Sequence, residues 1–444
     1  MRMSHNYDLP GPNSKKILDM QDKYEPSCRS TAAPLVWDEA HGAAVTDVDG
    51  NEYIDWTSGV LAANIGHSHP HFVKEVQNQV AKCSMPYAFP TEPRAIYAKR
   101  IVEKMPEYVD YLDTAFLLST GSEATEAAMR MAKRYTGKHE VISFWGAFHG
   151  RTWGAMSMAG KKETKQHWGP LMPGTIYAPY PYPYRCPFGS ETDEECVDRC
   201  IEWLDHKLHY ESIGDVAAVI TEPYQGGAGF IIPPDGFLKR LEQWAHDNDI
   251  LFIDDEIQAS FGRSGTMFYL EHEELQPDLL CIGKGIANGI PTAALLANHE
   301  MFDIMEKGEM SSTTGANPVS SAAANAVLDV FEQENLIENC NEVGGYMLGK
   351  LQELGEKHEC LGDVRGRGLV IGLEFVKSKE TKEPAPDYTG EVTERMATKG
   401  VTCGKVGIHG NVIRVAPPLC ITKAQADESI ACLDEVLTEM GAPE

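Results

Sequence analysis

Pro277-Asp-Leu-Leu-Cys-Ile-Gly-Lys-Gly-Ile-Ala-Asn-Gly-Ile-Pro291 is the stretch on which the reading of this chain turns. Its first six residues predict a short buried strand, which runs into Lys284 between Gly283 and Gly285. A turn-rich loop follows, and Ala293-Ala-Leu-Leu-Ala297 predicts a second buried strand. A lysine on a glycine-bounded turn between two buried strands is costly without a partner. Two readings are open. The amine reaches solvent along its apolar stem, or it sits in a dry pocket with a lowered pKa, ready to form a Schiff base. The glycines would let another molecule come close to the backbone.

Working outward, short apolar runs recur at 115–119, 141–144, 216–221, 250–254, 279–282 and 293–297, separated by helical stretches. They suit strands buried on both faces of a mostly parallel sheet, and so an α/β fold. Such sheets bind ligands at the carboxyl ends of their strands. The chemistry-bearing motifs of this region fall at those ends.

Thr120-Gly121-Ser122 opens a strongly helical Ala/Glu/Met run. It reads as a phosphate cradle or as plain capping. Phe148-His149-Gly150-Arg151 offers a flat ring, an imidazole and a guanidinium; the ring either stacks on a cofactor or packs on the core. Thr221-Glu-Pro-Tyr-Gln-Gly-Gly-Ala-Gly229 places Glu222 at a strand end. Ile253-Asp-Asp-Glu-Ile-Gln258 ends a strand in carboxylates, which calls for a cation or for solvent. Asp255 could hold a ring nitrogen protonated, and Gln258 could donate to a ring oxygen. Ser311-Ser-Thr-Thr-Gly-Ala-Asn-Pro318 is another hydroxyl-rich candidate for phosphate, and Arg414 lies on a strand near the C-terminus.

The chain ends differ from the middle. Gly11-Pro-Asn-Ser14 precedes a helix to Tyr24; strands are expected at 35–38, 43–48 and 51–56, with a hairpin turn at Asp49-Gly50-Asn51. His67 and His69 near Pro70 read as loop histidines, and Cys196 and Cys200 with Cys186 lack the paired Cys-x-x-Cys spacing of a metal knuckle. No metal site is expected. The 444 residues, 42% hydrophobic and 24% charged, fit a large globular chain. A net charge of -27 argues against nucleic acid or an anionic membrane as partner. The N-terminus shows no apolar signal core, and no uncharged apolar run reaches a membrane span. Eleven scattered cysteines suggest a reducing cytoplasm.

In order and spacing the motifs resemble the class III, or ω-type, aminotransferases, which use pyridoxal 5′-phosphate (PLP). The resemblance runs from Gly11-Pro12 to about Thr422 and has the feel of the 4-aminobutyrate enzymes, whose opening is similar to Pro10-Gly-Pro-Asn-Ser-Lys15. It implies PLP fold type I: a large domain with a mostly parallel seven-stranded sheet, and a small α+β domain built from both chain ends. The expected division is 1–60 for the arm and part of the small domain, 61–325 for the PLP-binding domain and 326–444 for the C-terminal part. It implies Lys284 as the Schiff-base lysine, Asp255 as the partner of the pyridine nitrogen and Gln258 as donor to the phenolic oxygen. Phe148 would stack on the ring, with His149 and Glu222 beside the cofactor. Thr120, Gly121 and Ser122 would hold the phosphate, joined by Thr313 from a neighbouring subunit. Val60, Arg151, Glu222 and Arg414 would meet substrate: Arg414 an α-carboxylate, Glu222 neutralising Arg414 in its absence, and Arg151 a distal carboxylate. A homodimer with interfacial sites is implied, with a dimer of dimers left open.

The implied reaction moves an amino group from an ω-amino acid or amine to a 2-oxo acid, in ping-pong order. Alternatives are an alanine–glyoxylate type of transfer, or a lyase, decarboxylase or aminomutase on the same scaffold. A binding protein without catalysis is disfavoured by the presence of both Lys284 and Asp255. Two departures bear on the donor. The family's Glu-Pro-x-Gln-Gly-Glu-Gly becomes Glu-Pro-Tyr-Gln-Gly-Gly-Ala-Gly, which removes an acid and adds Tyr224, and Thr314 stands where an aromatic is usual.

Overall fold

The computed structural model describes residues 5–30 and 32–443. The chain divides into two compact units, one of residues 71–334 and one built from both ends, 1–70 and 335–444.

The larger unit carries strands β1 (Thr114–Leu118), β2 (Glu140–Phe144), β3 (Thr175–Ala178), β4 (Val216–Thr221), β5 (Leu251–Glu256), β6 (Leu279–Ile282) and β7 (Ala293–Ala297). They form one seven-stranded sheet in the order β1-β7-β6-β5-β4-β2-β3. Only β7 runs against its neighbours β1 and β6; the other pairings are parallel. Every residue of β2, β4, β6 and β7 is buried, as expected where helices cover both faces.

The helix Gly121–Thr136 packs on β4, β6 and β7 through Ala124, Ala127, Ala128, Met131 and Ala132. Thr120 caps it: its hydroxyl accepts from Glu123 N at 3.2 Å, and Glu123 Oε2 accepts from Ser119 N and Thr120 N. Gly137, at φ 71°, ends it in the left-handed conformation that glycine adopts freely. The small-residue helix Pro318–Gln333 packs on the helix Glu92–Glu103 and on the single turn Lys284–Ala287. These contacts keep 326–334 with the larger unit, so the division falls after Glu334, where 325 was expected.

The other unit holds two four-stranded sheets. In one, Trp37–His41, Ala44–Asp47 and Glu52–Asp55 are antiparallel, and Val401–Thr402 from the far end of the chain adds alongside Glu52–Asp55 in parallel. The first strand begins at Trp37, where Leu35 was expected, because Leu35 N closes a turn onto Ala33 O at 2.8 Å. The second sheet is antiparallel, from Leu361–Arg367, Val370–Phe375, Val412–Val415 and Gly404–Val406. Among the described residues no helix is long and apolar enough to cross a membrane.

Candidate active site

Five strand ends of the larger unit converge on one cavity of about 210 Å³. Thr120, Gly121 and Ser122 follow β1; Phe148, His149 and Gly150 follow β2; Glu222 and Tyr224 follow β4; Asp255, Ile257, Gln258 and Ala259 come from β5; Lys284 follows β6. Lys284 is half-buried on a one-turn helix at φ 45°. A side chain pays for that left-handed backbone, and such strain collects at functional sites.

Alternation along β5 sends Asp255 to the cavity and turns Asp254 and Glu256 to the opposite face. Asp255 Oδ2 lies 2.7 Å from His149 Nδ1, and its Oδ1 accepts from Ile257 N at 3.2 Å. Both side chains are buried, so the carboxylate is fixed. His149 Nε2 is buried with no hydrogen-bond partner among the described residues. Glu222 accepts from Phe148 N at 2.8 Å and Gly226 N at 3.1 Å. Burial, with help from Asp255, still pushes its carboxyl up to about 7.

Ile257 is the residue that sequence reasoning passed over. A methyl placed on Gly121 would meet it at 2.9 Å and one on Gly283 at 3.1 Å, so two glycines hold this side chain in a slot. Reading the strand alternation two residues past Asp255 would have pointed to it. Gln258 Oε1 is buried without a partner among the described residues, and its amide packs directly on Gly226. Tyr224 is buried, and its hydroxyl donates to Gln258 O at 3.1 Å. Arg151 is exposed, with its guanidinium 5.5 Å over the Phe148 ring and its N–H donating to Ser122 Oγ at 3.1 Å.

Not every expected residue lines this cavity. Thr313, expected to act on a neighbouring subunit's site, is exposed and lies outside this chain's own lining; its neighbour Thr314 bonds Ser119 Oγ at 2.9 Å. Val60 and Arg414 belong to the other unit. Val60 is exposed at φ 64°, within a left-handed run from Ser58 to Leu61 that costs about 1–3 kcal/mol for each residue other than Gly59. The Arg414 guanidinium lies over Gly404, and its Nε is buried without a partner among the described residues. His67, expected as a loop histidine, pairs with Asp55 at 2.9 Å. No group of three or more His, Cys, Asp or Glu among the described residues is arranged to hold a metal ion.

The sequence pattern of the family described as Aminotransferase class-III matches residues 27–437. The chain belongs to this family. Class III aminotransferases depend on PLP. This one is 37% identical to an alanine/serine racemase of Pyrococcus horikoshii, over 97% of this chain and 91% of that protein. It is 35% identical to a 4-aminobutyrate aminotransferase of Mycobacterium leprae, over 97% of each. Its fold superposes with a TM-score of 0.89 on an (S)-enantioselective ω-transaminase from Thermomicrobium roseum, at 28% identity, covering 96% of this chain and 98% of that one.

The cavity of this class III aminotransferase fits PLP. The first-turn N–H groups of Gly121 and Ser122 have no acceptor within their own helix and suit a phosphate. Phe148 offers a ring face and Ile257 an apolar one. The Gln258 amide and the Asp255 carboxylate suit the ring's oxygen and nitrogen, and Lys284 supplies an amine. In the Gly226→Ala enzyme the new methyl would stand 1.8 Å from Gln258 Oε1. Overpacking of this kind costs about 1–3 kcal/mol. The Kd for PLP, read by fluorescence titration, should rise about tenfold; an unchanged Kd would show that Gln258 does not set the fit.

Beneath the cavity lies a second acidic layer. Asp254 is fully buried with both oxygens unpartnered among the described residues. Glu256 accepts from Tyr269 N at 2.7 Å and Leu270 N at 2.6 Å. Burial pushes Glu256 up to about 8 and raises Asp254 strongly, with Glu256 and Asp255 adding repulsion on Asp254. The unfolded chain ionises these acids at roughly pH 4, while the folded chain holds their protons longer. Their stability contribution is therefore complete at low pH and is lost as pH rises toward 8. The Tm of the wild type should fall over that window more steeply than that of Asp254→Asn. Parallel Tm curves would refute the assignment.

Proposed function

We propose that this enzyme transfers the amino group of a 4-aminobutyrate-like ω-amino acid or amine to a 2-oxo acid. The observation that carries the reading is the meeting of Lys284, Asp255, Phe148 and the Gly121 helix start in one cavity. When bound, PLP supplies an electron sink that acidifies the Cα–H of an amine joined to it. Lys284 would hold the cofactor through its amine and, once released and neutral, would serve as the base that takes the proton from the substrate Cα. Asp255, anchored by His149, would pair with the ring nitrogen and favour its protonated form in a dry site. Phe148 and Ile257 would clamp the ring, Gln258 would donate to its oxygen, and Thr120, Gly121 and Ser122 would take the phosphate. His149 and Glu222 complete the surround.

Arg151 receives the distal carboxylate of the donor, and Arg414 the α-carboxylate of the 2-oxo acid, with Val60 near the substrate. A charged hydrogen bond contributes about 1.5–3 kcal/mol. Arg151→Ala should therefore raise KM about tenfold or more for ω-amino acids and leave simple amines unchanged. A uniform effect on both donor types would remove Arg151 from substrate recognition.

A second reading, interconversion of amino-acid enantiomers, is favoured by the similarity to the alanine/serine racemase. A donor panel without acceptor separates the two. Amino transfer yields one equivalent of carbonyl product per site and stops. Racemisation yields the opposite enantiomer continuously. Added 2-oxo acid should then give ping-pong kinetics; their absence with every donor would exclude the first reading.

The assembly in this reading is a homodimer. It is supported by Met85, Tyr87 and Phe89, which stand 46%, 56% and 77% exposed on one short segment of the larger unit. Sedimentation should give the mass of two chains. The scattered spacing of the eleven cysteines supports a reducing compartment such as the cytoplasm.

A further inference from the structure

The loop that carries Arg151 hangs from one face of the helix Gly121–Thr136. Ser122, Thr125 and Glu126 stand at positions i, i+3 and i+4 of that helix, so their side chains share a face. Each holds a different part of the loop. Thr125 Oγ1 donates to His149 O at 2.7 Å, and Arg151 N donates to Ser122 Oγ at 3.1 Å. Glu126 Oε1 accepts from three donors: the Thr152 hydroxyl, Gly154 N at 2.9 Å and Ala155 N at 3.1 Å. Gly154 and Ala155 lie in the first turn of the short helix Trp153–Ser157, which Thr152 precedes without capping it through its own side chain. The first N–H groups of a helix have no partner within it, so here a carboxylate from another helix serves as the cap. The fit is close. Methyls on Gly150 and Gly154 would meet Ser122 Oγ at 2.3 Å and Glu126 Cδ at 2.8 Å.

We propose that Glu126 is the positioning residue for Arg151, and that through Arg151 it sets the preference for donors carrying a second carboxylate. The proposal rests on the reading above, in which Arg151 receives that carboxylate. Arg151 is exposed and its side chain is long, so its guanidinium is aimed by the backbone on which it stands. Thr125 and Ser122 tie that backbone at His149 and at Arg151 itself. Beyond Arg151, the ties from Thr152, Gly154 and Ala155 all end on one atom, Glu126 Oε1. Without that atom the downstream half of the loop is released, and the guanidinium loses its set place 5.5 Å over the Phe148 ring. Glu126 lies outside the cavity lining, so it acts on substrate only by way of Arg151.

The test compares Glu126→Ala, Arg151→Ala and the double variant in the PLP-loaded enzyme, with 4-aminobutyrate and with butylamine, which lacks the carboxylate, as donors. Alanine is a strong helix former, so the helix Gly121–Thr136 should persist in Glu126→Ala. That variant should raise KM for 4-aminobutyrate about tenfold, within the range that a misplaced substrate contact costs, and leave kcat/KM for butylamine unchanged. In the double variant the KM for 4-aminobutyrate should match that of Arg151→Ala, because the two residues act as one unit. Glu126→Gln, whose amide oxygen accepts the same bonds, should restore KM. Hydrogen exchange in peptides covering 149–157 should quicken in Glu126→Ala and not in Glu126→Gln. A donor-selective Arg151→Ala beside a Glu126→Ala that has no effect, or that weakens both donors alike, would overturn the proposal and leave the reading of Arg151 standing. Additive losses in the double variant, or unchanged exchange at 149–157, would do the same. An Arg151→Ala that acts alike on both donors would overturn the reading itself, and the proposal with it.

Discussion

Lys284→Ala should lose turnover by about 10⁴-fold or more, the upper end of what one positioned acid–base group contributes, while its Tm stays near that of the parent. The activity loss follows from the double duty assigned to this amine, as covalent anchor and as proton carrier. The fold should persist because the turn is held by other residues: Ile286 and Ala287 are buried, and the helix Pro318–Gln333 packs on it. Alanine inherits the left-handed backbone at no extra cost. A variant with kcat close to wild type would mean that Lys284 is a solvated lysine on an ordinary turn. A variant that fails to fold would be distinguished by its melting curve, and Lys284→Arg, which keeps a cation of similar reach, should then fold and remain inactive.

Asp255→Asn should lower kcat by about 10²-fold or more, the scale on which a preorganised electrostatic partner acts. The substitution keeps the shape of the side chain and removes its charge. The amide can still accept from Ile257 N, so the loop should stay in place. It cannot pair with a protonated ring nitrogen, and it leaves His149 facing a neutral group. The loss should appear in kcat for every donor, with PLP still retained after gel filtration. Loss confined to KM would assign Asp255 to substrate binding.

Six of the seven strands of the larger unit were legible because they read as short apolar runs ending in polar residues, whereas β3, with its alternating burial, was passed over. The same contrast marked Lys284 and Asp255: each is a costly charged group at the tip of such a run. Sheet order and the antiparallel course of β7 were not legible, since a buried run carries no sign of its direction. Strand alternation past Asp255 could point to Ile257, but the slot formed by Gly121 and Gly283 was illegible, because one of those lies 136 positions away in the chain. The division after Glu334 was missed for a like reason, because the partners of the helix Pro318–Gln333 are distant in sequence. His67 lies between named elements, as a loop histidine does; what was not legible is Asp55 as its partner, since nothing local announces it.

Reduction of the PLP-loaded enzyme with borohydride, followed by peptide mapping, tests the central claim most directly. The reduced cofactor should be found on Lys284 alone, in one equivalent per chain. Its attachment to another lysine, such as the half-buried Lys161, or its release from the denatured protein, would contradict the account.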